Sequence, residues 1–73
     1  MRQKSDHVMS MIGTHLKDVE AKVIIHRYGF DGNRPKTLGE IGKMISYSIP
    51  GVKAIEDRSM AKLRNALESN KML

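Results

Sequence analysis

The stretch Thr37-Leu38-Gly39-Glu40-Ile41-Gly42-Lys43 decides the fold of this chain. Thr37 and Glu40 have the spacing of a capping box, in which the hydroxyl and the carboxylate each accept a hydrogen bond from a free backbone amide at the start of a helix. Shortly after it, Ser48 is a preferred N-cap residue, and Pro50 suits a first helical turn, where its missing N–H is not needed. A short helix, a tight turn and a longer helix form a helix-turn-helix, which this spacing therefore predicts.

Breaks rich in glycine, proline and small polar residues divide the chain into four predicted helical segments. The breaks lie at residues 13–14, 29–35 and 46–51. The third segment covers residues 38–45, and its inward residues are Leu38, Ile41 and Ile45. The fourth runs from its cap at Ser48 to about Ser69 and is expected to bury five apolar residues, namely Val52, Ile55, Met60, Leu63 and Leu67. The sequence predicts an all-α fold, a small domain of three to four helices.

The first two segments leave one boundary open. Ser5 or Asp6 can cap a first short helix that carries Val8, Met9 and Ile12. The second covers about Leu16 to Tyr28 and has one helical face, formed by Leu16, Val19, Val23, Ile24 and Arg27. A single helix through Gly13 is the alternative, because residues 8, 12, 16, 19 and 23 are also periodic. We favour a break, since an interior glycine costs about 1 kcal/mol relative to alanine. This divides the chain into an N-terminal segment, residues 1–15, and a helix-turn-helix domain, residues 16–73.

The composition limits the class of protein. The chain has 73 residues, no cysteine and a formal net charge of +5. So short a chain forms one small domain, which no disulfide or thiolate metal site can stabilise. The positive charge favours an anionic partner, either nucleic acid or an acidic protein surface, although a solvated basic surface explains it equally well. No apolar run reaches the roughly 18 residues needed to cross a bilayer, and no signal sequence follows the basic start, so we expect a cytoplasmic protein.

The histidines do not form a recognisable catalytic or metal-binding pattern. His7, His15 and His26 lie far apart in the sequence and belong to no cluster with Asp or Glu suited to a metal. Neither a nucleophile paired with a base nor a glycine-rich phosphate loop is present. We therefore expect no enzymatic activity, no metal and no cofactor.

Three segments, in order, carry a family pattern. They are Glu20-Ala21-Lys22-Val23-Ile24 with Arg27-Tyr28-Gly29-Phe30-Asp31, then Thr37 to Lys43, then Ile55-Glu56 with Met60-Ala61-Lys62-Leu63-Arg64. They resemble the first helix, the supporting helix and the final helix of region four in bacterial primary sigma factors. The spacing from Thr37 to Arg64 matches that family without a gap.

The resemblance implies both a fold and a partner. Region four of a sigma factor reads the −35 promoter element with its last long helix, and its helices form a hydrophobic concavity that grips the flap-tip helix of the RNA polymerase β subunit, beside the RNA exit channel. The residues implied to grip the polymerase here are Val23, Ile24, Tyr28, Met60, Leu63 and Leu67, with Arg64 at the edge. We expect the chain to act as a monomer.

The front of the predicted recognition helix departs from the family. Members of the family carry a polar run there, typically Arg-Glu-Arg and then Arg-Gln, where this chain has Ile49-Pro50-Gly51 and then Lys53-Ala54. Direct readout needs side chains such as Arg on guanine or Gln on adenine, each worth about 1–3 kcal/mol of discrimination. A single Lys53 suits a phosphate better than a base edge. The sequence therefore argues against specific recognition of the −35 element.

Two further groups of residues have both a functional and a structural interpretation. Five basic side chains can hold nucleic-acid phosphates without sequence preference or can form a solvated surface, namely Arg34, Lys36, Lys53, Arg58 and Lys62. Within the N-terminal segment, Lys4 and His7 can make polar contacts with polymerase while Val8 and Met9 anchor it. The alternative for that segment is a frayed tail that leads into a short helix.

These residues and the resemblance support two candidate functions. The first is a regulator of the phage type that binds bacterial RNA polymerase at the β flap, with β′ left open as a further contact. It would inhibit sigma-dependent initiation by competing with sigma, and a basic domain at the RNA exit channel could also hinder terminator hairpins and act in antitermination, through contact with nascent RNA or DNA. The alternative is a DNA-binding helix-turn-helix module, a region-four fragment or activator that reads promoter DNA.

Overall fold

Four α-helices account for most of the chain in a computed structural model, which describes residues 4–71 and the side chains of residues 9–68. They are α1 (Lys4–His15), α2 (Asp18–Tyr28), α3 (Leu38–Ile45) and α4 (Ile49–Lys71). The described residues contain no β-strand, which confirms the predicted all-α fold. No helix within this range is long and apolar enough to cross a membrane.

The helix-turn-helix is built as its capping residues predict. The Glu40 amide donates to Thr37 Oγ1 at 3.1 Å, and the Thr37 amide donates to Glu40 Oε1 at 2.8 Å, so the capping box of α3 is complete. Helix α3 ends at Ile45 and is capped by Ser46, whose φ of 62° is left-handed, the conformation that commonly closes a helix. The Gly51 amide then donates to Ser48 Oγ at 3.1 Å and begins α4. Helix α3 has the bounds predicted from the sequence.

The predicted break at Gly13 is wrong, because α1 continues through Gly13 to His15. A β carbon at Gly13 would meet nothing within 4 Å, so only the intrinsic helix propensity opposes its place there. The chain turns instead at Lys17, which is extended (φ −75°, ψ 167°) and whose amide donates to Glu20 Oε1 at 3.0 Å. Helix α2 consequently begins at Asp18 rather than at Leu16. Helix α4 extends to Lys71, slightly beyond its predicted end near Ser69.

The core consists of two neighbouring groups of apolar side chains. The first joins α1, α2 and α4 through Met11, Ile12, Ile24 and Leu63. The second joins α2, α3 and α4 through Val23, Ile41, Val52 and Ile55. Two residues predicted to be buried on α4 are not, since Met60 is 37% and Leu67 is 47% exposed. They lie on the side of α4 that the other described helices leave uncovered.

Candidate binding groove

An open apolar groove lies beside the first part of the core, where α1, α2 and α4 meet. It encloses about 300 Å³. Eight of the described residues line it, namely Met11, Ile24, Tyr28, Phe30, Met60, Leu63, Arg64 and Leu67. Seven of these are apolar or aromatic and one is a cation, so the groove suits an apolar ligand that tolerates a positive charge at its edge.

The floor of this groove is the core itself. Ile24 and Leu63 are almost completely buried, and Met11 of α1 packs in the same cluster. Met60 and Leu67 lie about two turns apart along α4 and keep more than a third of their surface exposed. A rigid floor with exposed apolar edges is the arrangement in which a groove binds an amphipathic helix.

One wall is held in place by a buried carboxylate. The Tyr28 hydroxyl donates to Glu56 Oε2 at 2.8 Å, and Glu56 is only 5% exposed. Two cations neighbour the same carboxylate, with Arg27 Nε at 3.6 Å and Lys53 Nζ at 3.7 Å. The hydrogen bond to Glu56, together with burial, raises the pKa of the Tyr28 hydroxyl above its usual value. The hydrogen bond to Glu56 thus orients the Tyr28 ring at the groove, although the side chain is 44% exposed.

The loop after α2 places the second aromatic wall. Gly29 ends α2 in the left-handed conformation (φ 71°), and a β carbon there would lie 2.5 Å from the Asn33 carbonyl oxygen. This close approach requires glycine. Phe30 follows at once, with its ring centroid 6.0 Å from that of Tyr28. The loop is tied back to α2 because the Lys36 amide donates to the His26 carbonyl at 2.9 Å.

The structure brings together most of the residues that the sequence predicted to grip polymerase. Ile24, Tyr28, Met60, Leu63, Leu67 and Arg64 all line the groove. Val23 does not line it, because this side chain has no exposed surface and packs in the second part of the core.

Two further residues, Met11 and Phe30, line the groove without having been predicted from the sequence. That Phe30 lines the groove could have been predicted from its position directly after Gly29, the glycine that ends α2. Met11 had no comparable signal, because its position depends on how α1 packs against α4.

Three of the five predicted phosphate contacts are engaged within the protein. Lys53 pairs with Asp57 at 3.2 Å. Arg58 Nε and Lys62 Nζ both donate to the carboxylate of Glu20, at 3.1 and 2.9 Å. The remaining two, Arg34 and Lys36, lie in the α2–α3 loop and are in no ion pair among the described side chains.

The front of α4 is apolar in the structure as in the sequence. Ile49 is 55% exposed and extends beside Gly39, whose β carbon would lie 3.7 Å from Ile49 Cδ1. Pro50 and Gly51 complete the first turn, and the amide of Gly51 donates a hydrogen bond to Ser48 Oγ. Tyr47, in the turn, is also about half exposed. This surface has little that could form a paired hydrogen bond with a base edge.

The N-terminal candidates are only partly described. The backbone of Lys4, His7 and Val8 belongs to α1, but their side chains lie outside the described residues. The side chain of Met9 is described and is 36% exposed.

Metal ligands do not cluster within the part of the chain that the structure describes. No group of three His, Cys, Asp or Glu residues there could hold a metal ion. The nearest approach is His26 Nδ1, which lies 3.6 Å from Asp31 Oδ2. The Asn33 amide and side chain bind Asp31 and lower its pKa.

Comparison with known proteins gives a consistent set of relatives. Residues 14–65 match the family described as sigma-70, region 4. RNA polymerase sigma factor sigB of Arabidopsis thaliana is 40% identical over 70 residues, which cover 96% of this chain and 12% of that protein. RNA polymerase sigma factor SigA of Mycoplasma genitalium is 30% identical over 70 residues, covering 94% of this chain and 14% of that protein. No solved structure matches the chain.

Proposed function

Because the chain belongs to the sigma-70 region 4 family, whose members are helix-turn-helix modules that bind DNA and RNA polymerase, we propose that it binds bacterial RNA polymerase through its apolar groove. The chain spans only about an eighth of the length of the two sigma factors that it resembles.

The groove is the observation that carries this proposal. It combines a buried floor of Ile24 and Leu63 with exposed apolar edges at Met60 and Leu67. A soluble domain keeps such apolar surface exposed at a cost in solubility, and surfaces of this kind are typically binding sites. Both relatives are RNA polymerase sigma factors by name, which supports polymerase as the protein that covers the groove.

The partner within polymerase is the flap-tip helix of the β subunit, beside the RNA exit channel. A chain bound there occupies the place of sigma region four and inhibits initiation that depends on sigma. Its net charge of +5 next to emerging RNA supports a second effect, in which contact with RNA phosphates hinders terminator hairpins and promotes antitermination. These are the properties of a phage-type regulator that redirects host transcription.

The N-terminal segment provides a second contact in this proposal. Lys4, His7, Val8 and Met9 lie in the first half of α1, and in this proposal the segment meets β or β′. The exposed surface of Met9 supports such a contact.

Reading of promoter DNA is the competing function. The family supports it, whereas the front of α4 opposes it, since Ile49 is the most exposed large apolar residue there and Lys53 is already paired with Asp57. The groove has the exposed apolar edges that polymerase binding needs, whereas the front of α4 lacks the polar side chains that base readout needs. We therefore favour polymerase binding.

A pull-down with matched variants tests the proposal. The tagged chain is incubated with polymerase core and with holoenzyme, and we expect it to retain core and to displace sigma. Leu67→Asp places a charge in the groove at a residue that is 47% exposed, and we expect it to abolish retention. Met44→Asp is the control, because Met44 is equally exposed at 48% but lies on α3 outside the groove.

The outcomes separate the two functions. Retention that is lost equally in both variants, or no retention of core at all, contradicts binding through the groove. Sequence-preferring binding to −35 duplex that persists at about 0.2 M salt in a gel-shift series favours the DNA-reading function instead. Circular dichroism of both variants checks that each remains folded.

A further inference from the structure

Among the described residues that line the groove, Arg64 is the one cation, at an otherwise apolar edge. This residue is exposed, and it makes no ion pair with any carboxylate among the described side chains. Glu68, one turn further along α4, is also exposed and is not paired with it. The guanidinium of Arg64 therefore has its hydrogen-bond donors available at the mouth of the groove.

The other cations of α4 differ from Arg64 in this respect. Lys53 pairs with Asp57, while Arg58 and Lys62 pair with Glu20. Among the described side chains of α4, each cation outside the groove thus has a carboxylate partner, whereas Arg64 has none. An arginine that is left free beside an apolar site is positioned to bind a carboxylate of the ligand, often through two parallel hydrogen bonds.

From this arrangement, we infer that the helix proposed to occupy the groove carries a carboxylate beside its apolar stripe, and that this carboxylate pairs with Arg64. The inference rests on the proposed function and specifies the chemistry of its partner. The apolar lining accepts the stripe, with Met60 and Leu67 at its edges and Leu63 beneath it. The net charge of +5 makes the approach of an acidic-edged helix favourable at long range.

Two designed peptides serve as probes. Both are acetylated, amidated alanine-based helices with leucines at positions i, i+3 and i+7, and they differ only in carrying Glu or Lys at the positions that border the leucine stripe. Affinity for the full chain is measured by fluorescence anisotropy at about 0.15 M salt. We expect the wild-type chain to prefer the Glu peptide by about fivefold, the upper range for a partly exposed ion pair.

Charge variants show whether Arg64 itself is responsible. Arg64→Gln should remove the preference, and Arg64→Glu should reverse it. Lys43→Glu is the matched control, because it makes the same change in net charge at an exposed residue of α3 that does not line the groove. With this variant we expect the preference for the Glu peptide to persist.

Four results would overturn the inference. Equal binding of both peptides to the wild-type chain removes the role of a carboxylate, and an equal reversal in Lys43→Glu assigns the preference to net charge. Binding of neither peptide excludes a helical occupant of this kind, as does sedimentation of the chain as a dimer that Leu67→Asp dissociates, since a second copy would then fill the groove. Retention of polymerase core, measured separately, still decides the proposed function in each case.

Discussion

Glu20 joins the start of α2 to the middle of α4. Its carboxylate accepts hydrogen bonds from the Lys17 amide, from Arg58 and from Lys62, although the side chain is only 2% exposed. A buried carboxylate is tolerated only when such partners replace the water it has lost. The Lys17 amide and then Lys62 hold the pKa of Glu20 at about 2, against the opposing effect of burial.

Glu20→Gln is therefore expected to destabilise the chain. The amide keeps the size of the side chain and one acceptor, but it leaves Arg58 and Lys62 without their carboxylate. Because both cations remain partly exposed, we expect a loss of about 1–3 kcal/mol in the free energy of unfolding, measured by urea denaturation. Glu68→Gln is the control, with an expected change within about 0.5 kcal/mol. Equal effects of the two substitutions would contradict a special role for Glu20.

The same residue predicts how stability depends on pH. The pKa of Glu20 is about 2 in the folded chain and near 4.5 when unfolded, so the unfolded state binds the extra proton between these values. Its stabilising contribution is fully present above about pH 4.5 and is lost as the pH falls towards 2. The free energies of unfolding of wild type and Glu20→Gln should accordingly differ most at about pH 6 and converge near pH 2. A difference that stays constant over this range would refute the assignment.

At the scale of secondary-structure elements, the turn of the helix-turn-helix depends on Gly42. The turn folds back over α3, so that the Tyr47 amide donates to the Gly42 carbonyl at 2.9 Å. A β carbon on Gly42 would lie 2.6 Å from the Tyr47 carbonyl oxygen, which is backbone and cannot rotate away. The close approach of α3 and its turn thus requires a residue without a side chain.

Gly42→Ala and Gly13→Ala should change stability in opposite directions. Alanine favours both helices equally, but at Gly42 it forces the turn away from α3, for which we expect a loss of about 1–3 kcal/mol. At Gly13 nothing lies within 4 Å, so we expect a gain of about 0.5–1 kcal/mol from helix propensity. Urea denaturation of the pair measures both effects. A stabilised Gly42→Ala variant would show that the turn can shift without cost.

Helix α4 performs different tasks along its length. Its first turn is apolar and exposed at Ile49, its middle carries the cations that bind Glu20, and its later turns form one side of the groove. Because a helix of 23 residues is long enough to extend past the core, one element contributes both to the fold and to the candidate site.

For the whole molecule, the distribution of charge matters more than its sum. The formal charge is +5, yet several cations are neutralised within the fold by Glu20, Glu56 and Asp57. Arg34 and Lys36 in the α2–α3 loop have no such partner among the described residues. The pKa of the neighbouring Glu40 is lowered, but its largest cause is the hydrogen bond from the backbone amide of Thr37 and not these two cations. Of the five cations predicted to contact phosphates, Lys53, Arg58 and Lys62 are paired within the fold, so we expect a contact made by this set to depend on the loop.

The salt dependence of non-specific duplex binding tests that expectation. Replacing Arg34 and Lys36 together with alanine should weaken binding and reduce the slope of log affinity against log salt by roughly 1.8, as for two lost phosphate contacts. The double variant Arg58→Ala and Lys62→Ala removes the same charge and should change the slope little, provided that circular dichroism shows it folded. Equal slopes for the two double variants would mean that phosphates bind the surface without preference.

The helix-turn-helix could be predicted from the sequence alone. The capping box at Thr37 and Glu40, the N-cap at Ser48 and the glycine stop at Gly29 are local signals, because each hydrogen bond joins residues a few positions apart. The family pattern in these segments, which is likewise a matter of residue type and spacing, predicted six of the eight groove residues. The apolar front of α4 could also be predicted from the sequence, since it depends only on the types of residue at the start of that helix.

Tertiary packing settled how these pieces combine. The turn at Lys17 depends on the carboxylate of Glu20, whose burial in turn requires Arg58 and Lys62 from α4. The engagement of those two cations, the place of Met11 in the groove and the exposure of Met60 and Leu67 likewise follow from contacts between distant residues. Helical periodicity assigns an apolar residue to a face, but whether another helix covers that face depends on how the helices pack.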